Sequence, residues 1–146
     1  MTIKVLTIDD DSSMTTLLGT VLRGNGMDVI SCDTGEKGIT IARSEKPDII
    51  LLDLLLPGTD GWHVCKILRT FTAAPIAILS CLDDPNVISS ALDAGADDFL
   101  KKPISTPELI AHIKNLIRRY RVETIPTSMM REFVSTTRVS LSGNRY

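Results

Sequence analysis

The stretch Asp48-Ile49-Ile50-Leu51-Leu52-Asp53-Leu54-Leu55-Leu56-Pro57-Gly58 decides the fold. Asp48–Leu52 is a near-continuous apolar run, the pattern of a strand buried on both faces of a parallel sheet. Asp53 interrupts an otherwise unbroken aliphatic stretch. An ionised carboxylate is costly there unless it is paired, bound to a metal, or open to water at the strand end. Alternatively, Asp53 is a loop residue that starts the Pro57-Gly58 turn. On this residue alone both readings stand.

Outward from this strand, short β-rich runs alternate with segments of helical period over residues 3–120. Ile3–Ile8 is the first strand. Ser12 and Ser13 are good N-caps for a helix in which Met14, Leu17, Leu18, Val21 and Leu22 recur at helical spacing. Gly24-Asn25-Gly26 ends it with residues that tolerate positive φ. Met27–Cys32 and Gly35–Glu45 are the next strand and helix, stopped by Pro47. After the turn come a helix over Gly61–Thr70, a strand over Pro75–Leu79, a helix over Pro85–Ala94 ended by Gly95, and a short strand over Asp98–Lys101. Ser105 or Thr106 caps the last helix, with Pro107 in its first turn and Leu109, Ile110, Ile113, Leu116 and Ile117 on its buried side. Five strands alternating with five helices predict an α/β fold, a doubly wound five-stranded parallel sheet with helices on both faces. Right-handed crossovers favour the order 2-1-3-4-5, a flavodoxin-like (βα)5 arrangement.

Composition narrows the function classes. Of 146 residues, 43% are apolar and 23% charged, a globular balance, and a net charge of −2 offers no broad basic surface for nucleic acid. No apolar run approaches the roughly 20 residues of a membrane span, and the N-terminus shows no secretory pattern. Cys32, Cys65 and Cys81 are odd in number and scattered, which reads as reduced thiols in a cytoplasmic protein.

In a sheet of this order the functional crevice lies at the carboxyl ends of the strands, beside the switch point between the first and third. Asp9, Asp10 and Asp11 end the first strand, Asp53 the third, Ser80 the fourth, and Lys101-Lys102-Pro103 follows the fifth. Like charges packed together raise the proton affinity of at least one of them unless a cation neutralises the cluster. A hard divalent ion suits such an all-oxygen site. The bland alternative is that acidic residues before a helix complement its dipole, and Asp11 is read that way. Lys102 would direct an ammonium group at the carboxylates, and its peptide bond to Pro103 can be cis. Lys101 is read as solvated. Ser80 could donate to a phosphoryl oxygen.

Together these residues resemble the receiver (CheY-like) domain of bacterial two-component response regulators, from residue 3 to about 120. Ile8-Asp9-Asp10-Asp11 resembles the family's acidic pair, and residues 48–61 its phosphoacceptor strand and turn. Ser80 falls on its Thr/Ser switch position, and Gly95-Ala96-Asp97-Asp98-Phe99-Leu100-Lys101-Lys102-Pro103 on its fifth-strand signature. The resemblance implies that Asp53 accepts a phosphoryl group from a sensor histidine kinase. It further implies that Mg2+, or Mn2+ in its place, is held by Asp10, Asp53 and the Leu55 backbone carbonyl, with Asp9 acting through a bound water. Lys102 and Ser80 would hold phosphoryl oxygens, with Ser80 and Phe99 as the switch residues.

The pattern is nearest the OmpR/PhoB-type subfamily. That likeness implies transcriptional output, a homodimer through helix 4–strand 5–helix 5, and DNA contact only through an effector domain outside this chain. His112 and Ile88 depart from that subfamily's charges; a neutral imidazole cannot replace a guanidinium fork facing an acid such as Asp98. Cys81 narrows access beside the site, and Leu55 and Leu82 replace polar groups that often orient the hydrolytic water, so slow dephosphorylation is expected. The receiver is expected to span residues 1–121. Residues 122–146 are then a tail, a linker or the truncated start of an effector domain, with Arg138–Gly143 suited to a hairpin. Arg118-Arg119-Tyr120-Arg121 reads as cations complementing a helix C-terminus. Two rival functions are a stand-alone adaptor or phosphate sink, and a Mg2+-dependent phosphotransferase with an aspartyl-phosphate intermediate. The residues favour a phosphoacceptor over an enzyme, because no separate acid or base for turnover is evident.

Overall fold

The computed structural model describes residues 2–82 and 84–123. In chain order its elements are β1 (Lys4–Ile8), α1 (Ser12–Gly24), β2 (Asp28–Cys32), α2 (Gly35–Glu45), β3 (Ile49–Leu52), β4 (Leu55–Leu56), β5 (Thr59–Asp60), α3 (Gly61–Arg69), β6 (Ile76–Ser80), α4 (Pro85–Asp93), β7 (Asp98–Lys101) and α5 (Thr106–Glu123). Five strands form a parallel sheet in the order β2-β1-β3-β6-β7, so the expected 2-1-3-4-5 topology is the one observed.

Side chains alternate across this sheet and sort the core into two halves. Ile50 and Leu52 of β3, with Ile76 and Ile78 of β6, pack on one face against Ala42 of α2, Val64 and Leu68 of α3, and Ala91 of α4. Ile49, Leu51, Ala77 and Leu79 point the other way, onto Leu18 and Leu22 of α1 and Leu109, Ile113, Leu116 and Ile117 of α5. A strand covered on both sides must be apolar at every position, which explains the unbroken Ile-Ile-Leu-Leu of β3. The run breaks at Asp53, one residue past the end of β3, and Leu54 beyond it is buried again.

Most element ends fall within a residue of expectation, and the differences have local causes. Asp11, not Ser12 or Ser13, caps α1: its carboxylate accepts from the backbone N–H of Ser13 and Met14 at 3.0 and 3.1 Å. A carboxylate satisfies those free N–H groups and also complements the helix dipole. Leu17 of α1 is 58% exposed despite its helical spacing. At the far end of the chain, Ser105 caps α5, accepting from Glu108 N–H, and Ile110 is only half-buried. The helix continues through Glu123, past the expected boundary at 121; the hairpin suggested over Arg138–Gly143 lies outside the described residues. Pro57-Gly58 does more than turn the chain. It closes a two-residue antiparallel hairpin, β4–β5, with Gly58 at φ +78° as a type II turn requires of its third residue. Among the described residues no helix is long and apolar enough to cross a membrane.

Arg69 ties together the end of the sheet opposite the acidic residues. Its guanidinium donates to the carbonyls of Gly95 (2.7 and 3.0 Å), Ala74 (2.8 Å) and Thr72 (3.2 Å), and pairs with Asp97 at 2.7 Å. Asp97 in turn accepts from Ile76 N–H at 2.8 Å. Replacing Arg69 with Met keeps the packing stem but leaves partly buried carbonyls unpaired. Chemical denaturation of Arg69→Met should show a loss of about 2–3 kcal/mol with the cooperativity retained; a loss within experimental error would exclude this role.

Candidate functional site

Parallel register carries four remote residues to one end of the sheet. Ile8 pairs with Leu52, and the ladder continues one step further, with Asp53 N–H donating to Ile8 O at 3.0 Å. Asp9 and Asp53 therefore leave neighbouring strands side by side. On the other flank Ser80 pairs with Lys101, and Lys102 N–H donates to Ser80 O at 2.8 Å. The Lys102–Pro103 peptide bond is cis.

The Lys102 ammonium lies 2.8 Å from Asp9 Oδ2 and 3.4 Å from Asp53 Oδ2. All three side chains are nearly buried, at 10%, 5% and 11% exposure. Each carboxylate gives its other oxygen to the backbone: Asp9 Oδ1 accepts from Asp11 N–H at 3.0 Å, and Asp53 Oδ1 from Leu55 N–H at 3.1 Å. Asp10 is exposed at the mouth, where an open cleft of about 880 Å³ between α1 and α2 is lined by Asp9, Asp10, Thr15 and Lys37.

Lys102 contacts two of the three clustered carboxylates, so among the described residues of the cluster negative charge is in excess. Burial, reinforced by the Asp9 charge, pushes the Asp53 carboxyl above the usual aspartate range, against the opposing pull of Leu55 N–H and Lys102. Burial works against the Lys102 ammonium, but its bond to Asp9 and the two carboxylate charges outweigh it and hold Lys102 protonated beyond the ordinary lysine range. Asp9, Asp10 and Asp53 each offer an oxygen, and these lie within 4.8 Å of one another. Hard oxygen donors with surplus negative charge suit Mg2+ or Mn2+. The residues present fit such an ion.

The other expected site residues are placed as follows. Ser80 is fully buried on β6, its hydroxyl accepting from Leu82 N–H at 3.2 Å. Leu55 is 56% exposed at the rim. Phe99 is half-buried and packs against the α2–α3–α4 half of the core. On the α4–β7–α5 face His112 stands beside Asp98, the acid named for it above. Its Nδ1 lies 3.0 Å from Asp98 Oδ2, and its Nε2 3.9 Å from Glu108 Oε2. An imidazole does reach the acid, as a single hydrogen bond rather than a fork, because α5 packs alongside β7. Sequence spacing alone does not reveal that neighbourhood. Gly61 was also missed as a site residue, since only the closeness of its backbone contact with Asp53 and Leu54 distinguishes it from any glycine at a helix start.

Two outcomes follow from the charges. Asp53 binds its proton more tightly folded than unfolded, so its contribution to stability is full below the unfolded value and is lost as pH rises through the folded one. Without divalent cations at neutral pH, calorimetry should therefore find a higher Tm for Asp53→Asn than for wild type. The advantage should fade at acid pH, and Mg2+ should raise the wild-type Tm more than the variant's. A less stable Asn variant in chelator would refute the raised proton affinity of Asp53. The thiols give the second outcome. Burial and the neighbouring Asp33 charge push Cys32 up to about 11, and burial raises Cys65. Cys81 is exposed. Mass mapping after brief alkylation at pH 8 should find the label on Cys81 before Cys32 or Cys65; early labelling of Cys32 would contradict its burial.

Comparison with known proteins agrees with this geometry. Residues 5–114 match the family model described as "Response regulator receiver domain". The chain is 39% identical over 116 residues to the "DNA-binding response regulator MtrA" of Mycolicibacterium paratuberculosis, covering 80% of this chain and 52% of that protein. It is 38% identical over 128 residues to the "KDP operon transcriptional regulatory protein KdpE" of Escherichia coli, covering 88% and 57%. The chain thus spans about half the length of these curated relatives. Among solved structures, the BeF3-activated N-terminal receiver domain of Klebsiella pneumoniae RstA superimposes with TM-score 0.76 at 33% identity, covering 79% of this chain and 98% of that one. A receiver domain protein (CheY-like) from Methanospirillum hungatei shares the fold, with TM-score 0.81 at 21% identity, 84% of this chain and 99% of that one being covered. With its acidic pocket at the carboxyl edge of the sheet, the chain belongs to the response regulator receiver domains, which are phosphoacceptor signalling modules rather than catalytic enzymes.

Proposed function

We propose that Asp53 takes a phosphoryl group from the phosphohistidine of a sensor histidine kinase and that the domain thereby switches a partner-facing surface. One observation carries this reading: a single ammonium, Lys102, bridges Asp9 and Asp53 at the edge of a three-carboxylate cluster with surplus negative charge. A purely structural ion pair would balance its charges. This cluster is poised for a cation and, with it, for an anionic substrate.

In the step itself an Asp53 carboxylate oxygen forms a bond to phosphorus as the donor's P–N bond breaks. The electron pair leaves with the imidazole, which departs neutral when its other nitrogen carries a proton. Asp10, Asp53 and the Leu55 carbonyl would hold Mg2+, with Asp9 acting through a water, and the ion would supply charge neutralisation for nucleophile and phosphoryl oxygens. The chain's own part is positioning and electrostatics. Leu55 N–H and Lys102 hold the Asp53 carboxylate in one orientation. Lys102, already protonated, can pair with a phosphoryl oxygen while keeping Asp9.

Phosphorylation adds close to two negative charges and new acceptor oxygens. Ser80 then exchanges its bond with Leu82 N–H for a phosphoryl oxygen, and Phe99 turns into the space beside it. The half-burial of Phe99 and its core contacts support a two-state packing of the α4–β7–α5 face. We read residues 1–121 as the receiver unit, acting in the cytoplasm, and the output as transcription through an effector region, in keeping with the names of MtrA and KdpE. Self-association through α4–β7–α5 would accompany activation.

Intact-mass spectrometry after incubation with a small phosphodonor and Mg2+ tests the reading. Wild type should gain one phosphoryl group, and Asp53→Asn or chelator should abolish the gain; equal uptake by Asp53→Asn would refute the assignment. With apolar Leu55 and Leu82 beside the site, the phosphoryl group should persist for minutes or longer in purified protein, and a half-life of seconds would contradict that.

A further inference from the structure

Gly61 opens α3, and its amide donates to Leu54 O at 2.9 Å, closing the loop that begins at Asp53 and runs through the β4–β5 hairpin. A Cβ at this position would stand 2.5 Å from Leu54 Cα, 2.8 Å from the Asp53 carbonyl oxygen and 3.0 Å from Leu54 Cδ2. The first two are backbone atoms, which cannot swing aside as a side-chain tip can. Gly35 and Gly38 are equally crowded, with 2.4 Å approaches, but only by side-chain atoms of Val64, Thr59, Leu56 and Ile8. Gly61 does not lie among the positive-φ glycines, which are Gly26, Gly58 and Gly95. Its requirement is space, not conformational freedom.

We propose that Gly61 is a positioning residue for the cation and phosphoryl site. By carrying no side chain it lets the first turn of α3 rest directly on the Asp53–Leu54 backbone. That contact holds the backbone from which three groups project: the Asp53 carboxylate, the Leu55 N–H that holds it at 3.1 Å, and, one peptide unit further on, the Leu55 carbonyl. Asp60, the α3 N-cap, accepts from His63 N–H and anchors the far side of the same loop. Any added carbon at 61 must push the Asp53–Leu54 backbone away from the helix. Mg2+ demands near-ideal octahedral geometry, so a displacement too small to unfold the domain is enough to weaken its binding. The inference rests on the reading of Asp53 as a Mg2+-assisted phosphoacceptor.

The test uses the full chain and two readouts: Mg2+ binding by calorimetry with the metal alone, and phosphoryl uptake from acetyl phosphate across a Mg2+ series. Gly61→Ala should keep a cooperative melt yet bind Mg2+ about tenfold more weakly, the order expected for groups that orient metal ligands. Its half-saturating Mg2+ for uptake should rise by the same factor, while the rate at saturating Mg2+ stays near wild type. Gly35→Ala, which adds a methyl group against side chains, should leave Mg2+ affinity unchanged. Wild-type Mg2+ affinity in Gly61→Ala overturns the proposal, as does an equal loss in Gly35→Ala. Failure of Gly61→Ala to fold also overturns it, because the glycine would then serve the fold rather than the site. If wild type binds Mg2+ but takes up no phosphoryl group, the acceptor reading fails instead, and the affinity comparison still decides the role of Gly61. A wild-type chain without Mg2+ affinity removes both.

Discussion

The contact on which the site depends is the Lys102 ammonium held between the Asp9 and Asp53 carboxylates. Bringing two nearly buried carboxylates together would normally drive one to take a proton or the pair to part. Lys102 prevents separation without cancelling the charge, because Asp10 adds a third carboxylate at the mouth. The arrangement is stable enough to preform and unbalanced enough to attract a cation. Burial, with the Asp9 charge behind it, raises the proton affinity of Asp53, and the bond to Asp9 with the two carboxylate charges raises that of Lys102.

The sheet makes that contact affordable. Asp9 and Asp53 leave adjacent parallel strands in register, and Lys102 follows the edge strand two places further across. None of the three needs a long or flexible side-chain search to meet the others. Backbone N–H groups of Asp11 and Leu55 satisfy the remaining carboxylate oxygens, so little buried polarity is left unpaired. Apolar helices on both faces hold the strands rigid, while the loops at their ends carry the chemistry.

The α4–β7–α5 side has a different character. Phe99 is only half-buried, Leu92 of α4 is 45% exposed, and His112 bridges from α5 to Asp98 on β7. These contacts join the elements without locking them, in contrast to the fully buried Ile, Leu and Ala rows of β3 and β6. A face with partial burial can exchange between packings at modest cost, which a close-packed interior cannot do.

Sequence by itself determined the alternation of strands and helices, the sheet order and the identities of Asp9, Asp10, Asp53 and Lys102 as candidates, because burial on two faces demands continuous apolar runs and makes any charge at their ends conspicuous. It also misplaced the α1 cap on Ser12 and Ser13, since a carboxylate one residue earlier competes for the same N–H groups and wins on charge. Tertiary structure alone decided which oxygens face Lys102, that His112 reaches Asp98 through one ring nitrogen, and that Gly61 lies against the Asp53 backbone. Those facts depend on contacts near 3 Å between segments remote in the chain, and no residue pattern along one dimension encodes such distances.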